Sequence, residues 1–295
     1  MIGSFPQPIP GETFESLVAR LSRRITASGA ILQGRYYQGA SAEGRFSPEM
    51  LVANLAVPDW LPLRRLLEEN TPLPVVRPFL DQEDCERITK QLTVAERSST
   101  ITRSLSRSPR FCPECRTTEL EGLAEVGWQV LHQFRWFWRC QAHRIPLWQM
   151  PLARKAVATE IDTGCRNRAD LEVLKAIERD TKWLIGARVP PLGRLRWREF
   201  HRNELTKRFG VRPPFTSRDL FPLAHRIRPR AREWLQLSMI SHLDNWLLTT
   251  VRHQHGTTDP LLHLATLRIC GVRVHEAVRR LTAAGPAPAH VTPEP

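Results

Sequence analysis

The sequence predicts a mainly α-helical protein with a helical N-terminal unit, a central zinc-binding module and a helical C-terminal domain. Two observations lead to this fold class. Apolar residues recur at helical spacing in the first hundred residues and again beyond residue 168. Between these regions lies a segment with two short cysteine and histidine motifs, four of the nine tryptophans and an alternating apolar pattern. The predicted domains are residues 1–100, 101–150 and 151–284, followed by a proline-rich, disordered tail at 285–295.

The composition indicates a polyanionic partner. The 295 residues include 43 Lys and Arg against 30 Asp and Glu, which gives a formal net charge of +13. Such a balance favours nucleic acid, although a solvated basic surface would have the same composition. No apolar run approaches the ~18 residues that cross a bilayer, and the first residues lack the features of a secretory signal. We therefore expect a cytoplasmic protein that associates with the nucleoid and not with a membrane.

The N-terminal unit is predicted to consist of short helices. Residues 14–25 carry apolar side chains at helical spacing, with arginines opposite. Ser47 and Pro48 form an N-cap and first-turn pair for a second helix. Two further helices are predicted at residues 60–69 and, from Asp81, to about residue 96. This order of short helices is compatible with a helix-turn-helix.

Two cysteine and histidine motifs predict a structural metal site. Cys112 and Cys115 form a CysX₂Cys pair, and Cys140 and His143 form a CysX₂His pair twenty-four residues later. These four residues are the Cys₃His donor set of a closed tetrahedral zinc site, which predicts one structural Zn²⁺ and leaves no open position for catalysis. A thiol–disulfide pair and metal-free packing are the alternatives. His132 is predicted to pack in the core or behind a ligand.

Other residues of this segment have plainer interpretations. Its aromatic side chains predict either a core around the metal or an exposed platform for a protein partner; they are Trp128, Phe134, Trp136, Phe137, Trp138 and Trp148. Three cysteines have no partner at ligand spacing and are predicted to be small buried hydrophobic residues; they are Cys85, Cys165 and Cys270.

The C-terminal domain is predicted to be helical and strongly basic. Predicted helices cover residues 169–184, 194–209, 230–252, 259–271 and 274–284, the fourth capped by Asp259 and Pro260. The last two helices, joined at Gly271, have the order of a helix-turn-helix, an order that any packed helix pair shares.

The charge of this domain is concentrated in residues 186–232, which hold thirteen Lys and Arg, twelve of them Arg, against three acidic residues. Arginine suits bidentate phosphate contacts. Interleaved aromatic residues would stack on bases or anchor the segment to the core; they are Trp197, Phe200, Phe209 and Phe215. The predicted nucleic-acid-binding residues are Arg194, Arg196, Arg198, Arg202, Lys207, Arg208, Arg273 and Arg279.

Three segments of the chain together resemble the TniQ family. Residues 6–21 carry a Pro-Gly-Glu…Ser…Arg-Leu pattern that includes Gly11, Glu12 and Ser16. Residues 110–147, with the two cysteine and histidine motifs, are similar to the zinc module of that family. Residues 259–271 resemble its C-terminal helix pair. The zinc module is the most specific of the three.

The resemblance implies a function that the composition does not show. TniQ proteins select the target of transposons that use an AAA+ ATPase regulator. They recognise target DNA directly or through an RNA-guided CRISPR Cascade complex, and they recruit the ATPase, which engages the transposase. The resemblance therefore implies a non-enzymatic adaptor, with DNA, the ATPase and a Cascade complex as candidate partners and a homodimer as a plausible assembly.

Two alternatives come from other classes of protein. A zinc-stapled, metal-dependent nuclease or recombinase would need clustered carboxylates or histidines, whereas the aspartates of this chain are scattered and match no catalytic motif. A zinc-containing DNA-binding transcription regulator is the second alternative.

Overall fold

The computed structural model describes most of the chain beyond residue 62 and a short N-terminal segment. The ranges are 8–14, 16–17, 20, 63–93, 104–106, 108–123, 127–150, 157–227, 229–235, 246–252 and 257–284. The predicted helix at Ser47 and Pro48, and the tail predicted to be disordered at 285–295, lie outside these residues. So does most of the N-terminal unit for which a helix-turn-helix was considered.

The described residues are mainly helical, which confirms the predicted fold class. The N-terminal part has three helices and a 3₁₀ turn: α1 (Leu63–Asn70), α2 (Leu73–Val76), the 3₁₀ turn Arg77–Phe79 and α3 (Gln82–Thr93). The central part has three short strands and two helices: β1 (Arg110–Phe111), α4 (Pro113–Leu123), α5 (Val130–Gln133), β2 (Trp148–Gln149) and β3 (Thr159–Glu160).

Among the described residues of the C-terminal part, seven helices follow. They are α6 (Arg168–Ala187), α7 (Arg194–Phe209), α8 (Ser217–Ala224), α9 (Pro229–Trp234), α10 (Trp246–Arg252), α11 (Pro260–Ile269) and α12 (Val274–Ala283). The bounds of α7 coincide with the predicted helix, and those of α6, α11 and α12 lie within a few residues of theirs. The single helix predicted at 230–252 corresponds to α9 and α10, with residues 236–245 outside the described ranges.

Local sequence explains where the C-terminal helices begin and end. Asn167 caps α6 by accepting a hydrogen bond from the amide of Asp170 at 2.9 Å. Helix α7 ends at Gly210, whose φ of 70° lies in the left-handed region that favours glycine. Asp259 caps α11 ahead of Pro260, because its carboxylate accepts from the amide of Leu261 at 2.9 Å. The predicted cap and first-turn proline are therefore both present.

The central part contains a small antiparallel sheet. Its strand order is β1-β2-β3, with Arg110 opposite Gln149 and Phe111 opposite Trp148. The alternating pattern of the sequence corresponds to these strands, but the same segment also contains α4. This helix departs from the prediction because Pro113 occupies its first turn, where proline is favoured, and Glu114 follows at the positive end of the helix dipole.

One large hydrophobic core joins the central and C-terminal parts. It extends in sequence from Val75 to Leu281 and includes three fully buried tryptophans, Trp136, Trp197 and Trp246. A smaller cluster lies between α1, α2 and α3. The division at residues 100, 150 and 284 stays a prediction. No helix within the described ranges combines the length and apolar character that crossing a membrane requires.

Candidate functional site

Two backbone turns bring the predicted metal ligands to one place. Cys112 follows β1 directly, and Cys115 lies in the first turn of α4, where its amide donates to the Cys112 sulfur at 3.5 Å. In the second turn the amide of His143 donates to the Cys140 sulfur at 3.5 Å. Arg144 adopts a left-handed conformation with φ 65°, which lets the chain reverse behind His143.

The distances among the four donor atoms fit a tetrahedral ion. The Nδ1 atom of His143 lies 3.5 Å from the Cys112 sulfur, 3.3 Å from that of Cys115 and 3.6 Å from that of Cys140. The sulfurs of Cys115 and Cys140 are 3.6 Å apart, and all four donor atoms lie within 4.8 Å of one another. Zinc bonds of about 2.3 Å to sulfur and about 2.0 Å to nitrogen give tetrahedral edges of about 3.5–3.8 Å. The cluster can therefore hold a metal ion.

The sulfurs are electrostatically coupled in a way that suits metal binding. The hydrogen bond between the Cys115 and Cys140 sulfurs lowers the pKa of Cys140 below its ordinary value and raises the pKa of Cys115. Thiolate is the form that ligates metals. His132 lies buried beside Cys140, where its hydrogen bond contributes to the lowered pKa of Cys140. Its ring nitrogens do not belong to the cluster of four donor atoms.

A buried arginine supports the first metal-binding turn. The side chain of Arg110 is 7% exposed, and its Nη1 atom donates to the carbonyl oxygens of Phe134 at 3.3 Å, Arg135 at 2.9 Å and Phe137 at 2.8 Å. Its guanidinium also lies 5.5 Å from the ring centroid of Trp234. Burial lowers the pKa of Arg110 to about 10, so the group remains a cation at neutral pH. Arg110 thereby ties the strand before Cys112 to the loop before Cys140.

A buried glutamate joins the second metal-binding turn to α6. Glu178 is fully buried, and its carboxylate accepts hydrogen bonds from the amide of Trp138 at 3.3 Å, from Arg139 Nε at 3.3 Å and from Gln141 Nε2 at 3.0 Å. Burial raises the pKa of Glu178 to about 6. Because its donors flank Cys140, the second turn is fixed to a long helix of the C-terminal part.

The N-terminal motif packs against the central part. Gly11 and Glu12 run beside residues 127–130, where the amide of Val130 donates to the Gly11 carbonyl at 2.7 Å. The buried Glu12 carboxylate accepts from Ser16 Oγ at 2.8 Å and from Arg20 Nη1 at 2.7 Å. These are the residues of the Pro-Gly-Glu…Ser…Arg pattern, so the pattern has a structural role.

The arginines predicted to contact nucleic acid on α7 make intramolecular contacts. Arg194 pairs with Asp81 and, at 3.2 Å, with Asp84 on α3. Arg196 donates to the carbonyl of Leu281. The remaining predicted arginines of α7 pair with glutamates of the same helix: Arg198 and Arg202 with Glu199, and Arg208 with Glu204.

The other predicted residues lie on the surface. Lys207, Arg273 and Arg279 are exposed, the last two on or next to α12. Helix α11 is buried on nearly all sides, whereas α12 buries only one side, so the pair has an inner and an outer helix. Arg280 of α12 and Arg208 of α7 both bind Glu204, which places the predicted residues of the two helices side by side.

The predicted aromatic residues divide between core and surface. Phe134, Trp136 and Phe137 are fully buried, whereas the tryptophans at positions 128, 138 and 148 are partly exposed. In the basic segment, Trp197 and Phe215 are buried. Most of these rings therefore anchor the fold.

Sequence reasoning missed a buried histidine pair in addition to Arg110 and Glu178. His201 and His263 are both fully buried, and their Nε2 and Nδ1 atoms are 2.9 Å apart. Phe79 stacks on His263 at 4.4 Å between ring centroids. Burial lowers the pKa of His263 to about 4 and also lowers that of His201. One indication of this pair was present in the sequence, because His263 lies in the segment 259–271 that resembles the TniQ family. No feature of the sequence indicated that His201 or Glu178 is buried.

The fold and the donor set define a mainly helical protein with a Cys₃His cluster that can hold a metal ion. The TniQ family model matches residues 4–147, a range that contains the N-terminal motif and all four donor residues. This match, over residues 4–147, confirms the resemblance to the TniQ family seen in the sequence. It supports a general role in transposition target selection, without catalysis, within the transposition machinery. A search of curated proteins found no match.

Proposed function

We propose that this protein is a non-enzymatic target-selection adaptor in DNA transposition. It links target DNA, or an RNA-guided CRISPR Cascade complex, to an AAA+ ATPase regulator and through it to the transposase. The observation that carries this proposal is the family match, which includes both the N-terminal motif and the complete donor set. It acts in the cytoplasm on nucleoid DNA, and a homodimer is the assembly that we expect.

The metal in this proposal is one structural Zn²⁺. Cys112, Cys115, Cys140 and His143 would hold it, and a bound zinc ion supplies structural cross-linking in such a site. A donor set of three thiolates and one imidazole binds Zn²⁺ in preference to Mg²⁺ or Ca²⁺. The protein's part is to fix the two turns, through Arg110 on one side and Glu178 on the other. The resulting face is our candidate for docking a protein partner.

The DNA contact in this proposal involves α7 and the outer helix α12. Arg273 and Arg279 are exposed beside α12, and Lys207 is exposed near the end of α7. In a helix-turn-helix the second helix contacts DNA, and α12 has the corresponding position after the turn at Gly271. On DNA binding, the paired arginines of α7 would exchange their glutamate partners for phosphates. Arg198 and Arg202 are suited to this exchange because they share one partner, the partly exposed Glu199.

Co-purification with the cognate AAA+ ATPase, with and without DNA, tests the adaptor function. We expect the wild-type protein to retain the ATPase and C112S, which loses a metal ligand, to retain much less. C165A is the matched control, because Cys165 is buried but is not one of the clustered donors. Equal retention by all three proteins, or Mg²⁺-dependent DNA cleavage by the purified chain, would contradict the proposal.

A further inference from the structure

The surface around α8 carries three exposed arginines that are not among the predicted nucleic-acid-binding residues, in addition to Lys207, which is. Arg212, Arg218 and Arg226 are exposed, as is Lys207 at the end of α7. Within the described part of the chain none of these four forms an ion pair, in contrast to Arg202 and Arg208, which pair with Glu199 and Glu204. Four cations on this surface are therefore available to an anionic partner.

The acidic residue of this surface is already engaged. The Asp219 carboxylate accepts hydrogen bonds from Thr216 Oγ1 at 2.6 Å and from the Thr216 amide at 3.1 Å, which completes the capping box of α8. These bonds, with Thr216 as the main cause, lower the pKa of Asp219, which keeps it charged. It offsets one positive charge and leaves the surface with a clear excess of cations.

An aromatic ring is exposed on α8, one helical turn from Arg218. Phe221 is 45% exposed, although the neighbouring Leu220 and Leu223 already bury the inner face of α8. Its ring centroid is 4.2 Å from that of His225, four positions along. Arg218 precedes Phe221 by three positions, so the three side chains share one face of the helix. Half of the aromatic rings singled out in the sequence are buried and the other half only partly exposed, whereas Phe221 is exposed.

The two helix ends that carry these residues lie against each other. The guanidinium of Arg226, just beyond α8, is 4.4 Å from the ring centroid of Phe209, the last residue of α7. Lys207 and Arg212 lie within three positions of Phe209 along the chain. The cations of the α7 end and of α8 are therefore near one another, and together with Phe221 we call them the α8 surface: Lys207, Arg212, Arg218, Phe221 and Arg226.

We propose that the α8 surface binds DNA at a site where bases are unpaired, with its cations on phosphates and the Phe221 ring against an exposed base. Cations around an aromatic ring are the chemistry that recognises a strand with accessible bases, because every base offers a face for stacking. A surface that bound only phosphates would not require an aromatic ring, and a ring that served only the core would be buried. The exposed Phe221 ring therefore favours a contact with a base. The inference rests on the DNA contact of the proposed function and assigns it to a surface separate from α12.

Charge removal tests the phosphate contacts. Affinity is measured by fluorescence anisotropy, over a range of salt concentrations, for a labelled duplex that carries an unpaired bubble. We expect the triple variant R212Q/R218Q/R226Q to reduce the slope of log K against log salt by about 2–3, since each lost phosphate contact removes about 0.9 or less. The matched control R87Q/R166Q/R188Q removes the same charge from three exposed arginines elsewhere and should keep the slope.

Removal of the ring tests the base contact. We expect the wild-type protein to prefer the bubble to the fully paired duplex, and F221A to lose about tenfold in affinity for the bubble with an unchanged salt slope. F221Y should retain the preference. L120A is the matched control, because Leu120 is 49% exposed on α4. Circular dichroism and thermal unfolding of each variant show whether it is folded.

Each outcome distinguishes this surface from the adaptor function. If F221A keeps the bubble preference, the ring is not a base contact; if the triple variant keeps its salt slope, the cations are not phosphate contacts. If the wild-type protein binds neither DNA, the inference is wrong, while retention of the ATPase would still support the adaptor function.

Discussion

The region around the Cys₃His cluster and the helices that follow it both bury ionisable groups. The first region hydrogen-bonds its buried charges, whereas the second keeps a buried histidine pair neutral. Around the metal cluster, the buried Arg110 cation binds three carbonyl oxygens and the buried Glu178 carboxylate accepts three hydrogen bonds. In the helical part, the buried His201 and His263 face each other and are held neutral by burial.

The difference follows from the amount of apolar core that each region has. A segment of about 40 residues cannot bury enough apolar surface to be stable alone, so metals or polar ties must contribute. The helices α6 to α12 build most of the large core, in which tryptophans and leucines are fully buried. We therefore expect the first region to lose stability when a donor residue of the cluster or a buried hydrogen-bonding residue is replaced. The second region should lose stability when a group in its core becomes charged.

Loss of a metal ligand should have the largest effect. In C112S a hydroxyl replaces a thiolate that zinc strongly prefers, so we expect loss of the bound metal and of several of the roughly 10–16 kcal/mol that structural zinc supplies in small modules. Metal analysis and limited proteolysis of residues 109–150 measure this effect. C165A should retain one equivalent of metal and its protease resistance. A metal content that is equal in the two variants would contradict the assignment of Cys112 as a ligand.

Removal of the Arg110 cation should have the next largest effect. R110M leaves three carbonyl oxygens, those of Phe134, Arg135 and Phe137, without this donor, so we expect the free energy of unfolding to fall by about 3–5 kcal/mol. Urea unfolding of the metal-loaded protein measures it. R116M is the control, because Arg116 is exposed and only lies 5.6 Å from the Phe111 ring centroid. Similar losses in both variants would mean that the three carbonyl bonds contribute little.

The Cys₃His cluster could be predicted from the sequence, whereas the buried residues that hold its two turns in place, Arg110 and Glu178, could not. The spacing of Cys112, Cys115, Cys140 and His143 is a local property, and two such turns have few other uses. The pattern of helices was predictable for a similar reason, since caps such as Asp259 act within a few residues. Contacts between distant residues have no such signal: Glu178 lies 37 positions after Gln141, and the sequence does not show that they meet.

The same lack of a local signal explains why the sequence could not separate paired from exposed arginines in residues 186–232. Counting charges identified the segment correctly as arginine-rich, but it did not show which arginines face glutamates one helical turn away. Arg208 and Glu204 are such a pair, and Arg194 reaches Asp81 across 113 positions. The cations left exposed, such as Arg212 and Arg226, could be separated from the paired ones only in three dimensions.

Acid should weaken the helical part through the histidine pair. Burial lowers the pKa of His263 to about 4, below its ordinary value in the unfolded chain, so the folded state binds fewer protons. Stability from this histidine is complete above about pH 6.5 and falls as the pH drops toward 4, by about 3 kcal/mol in all. Urea unfolding at several pH values measures it.

A double variant separates this effect from loss of metal at low pH. H201L/H263L replaces both rings by apolar groups but leaves the Thr257 carbonyl, 2.8 Å from His263 Nε2, without this donor. We therefore expect a loss of about 1–3 kcal/mol that does not change with pH, and removal of the contribution of the pair to the pH dependence. The difference between wild type and variant across pH 4–6.5 is then the contribution of the pair. Parallel curves would show that the pKa of neither histidine is lowered in the folded protein.

Two glycines, one in the N-terminal motif that packs on the central part and one at the end of α7, give the smallest effect. Gly11 has φ 76° and Gly210 has φ 70°, so alanine at either position occupies the left-handed region at a cost of about 1 kcal/mol. At Gly11 an added Cβ would also lie 2.8 Å from the Gln129 amide oxygen, whereas at Gly210 nothing lies within 4 Å. We expect G210A to lose about 1 kcal/mol and G11A about 1–2 kcal/mol, because Gln129 must shift away from Glu119. Thermal unfolding of both variants measures the difference; equal losses would mean that the side chain of Gln129 moves aside without cost.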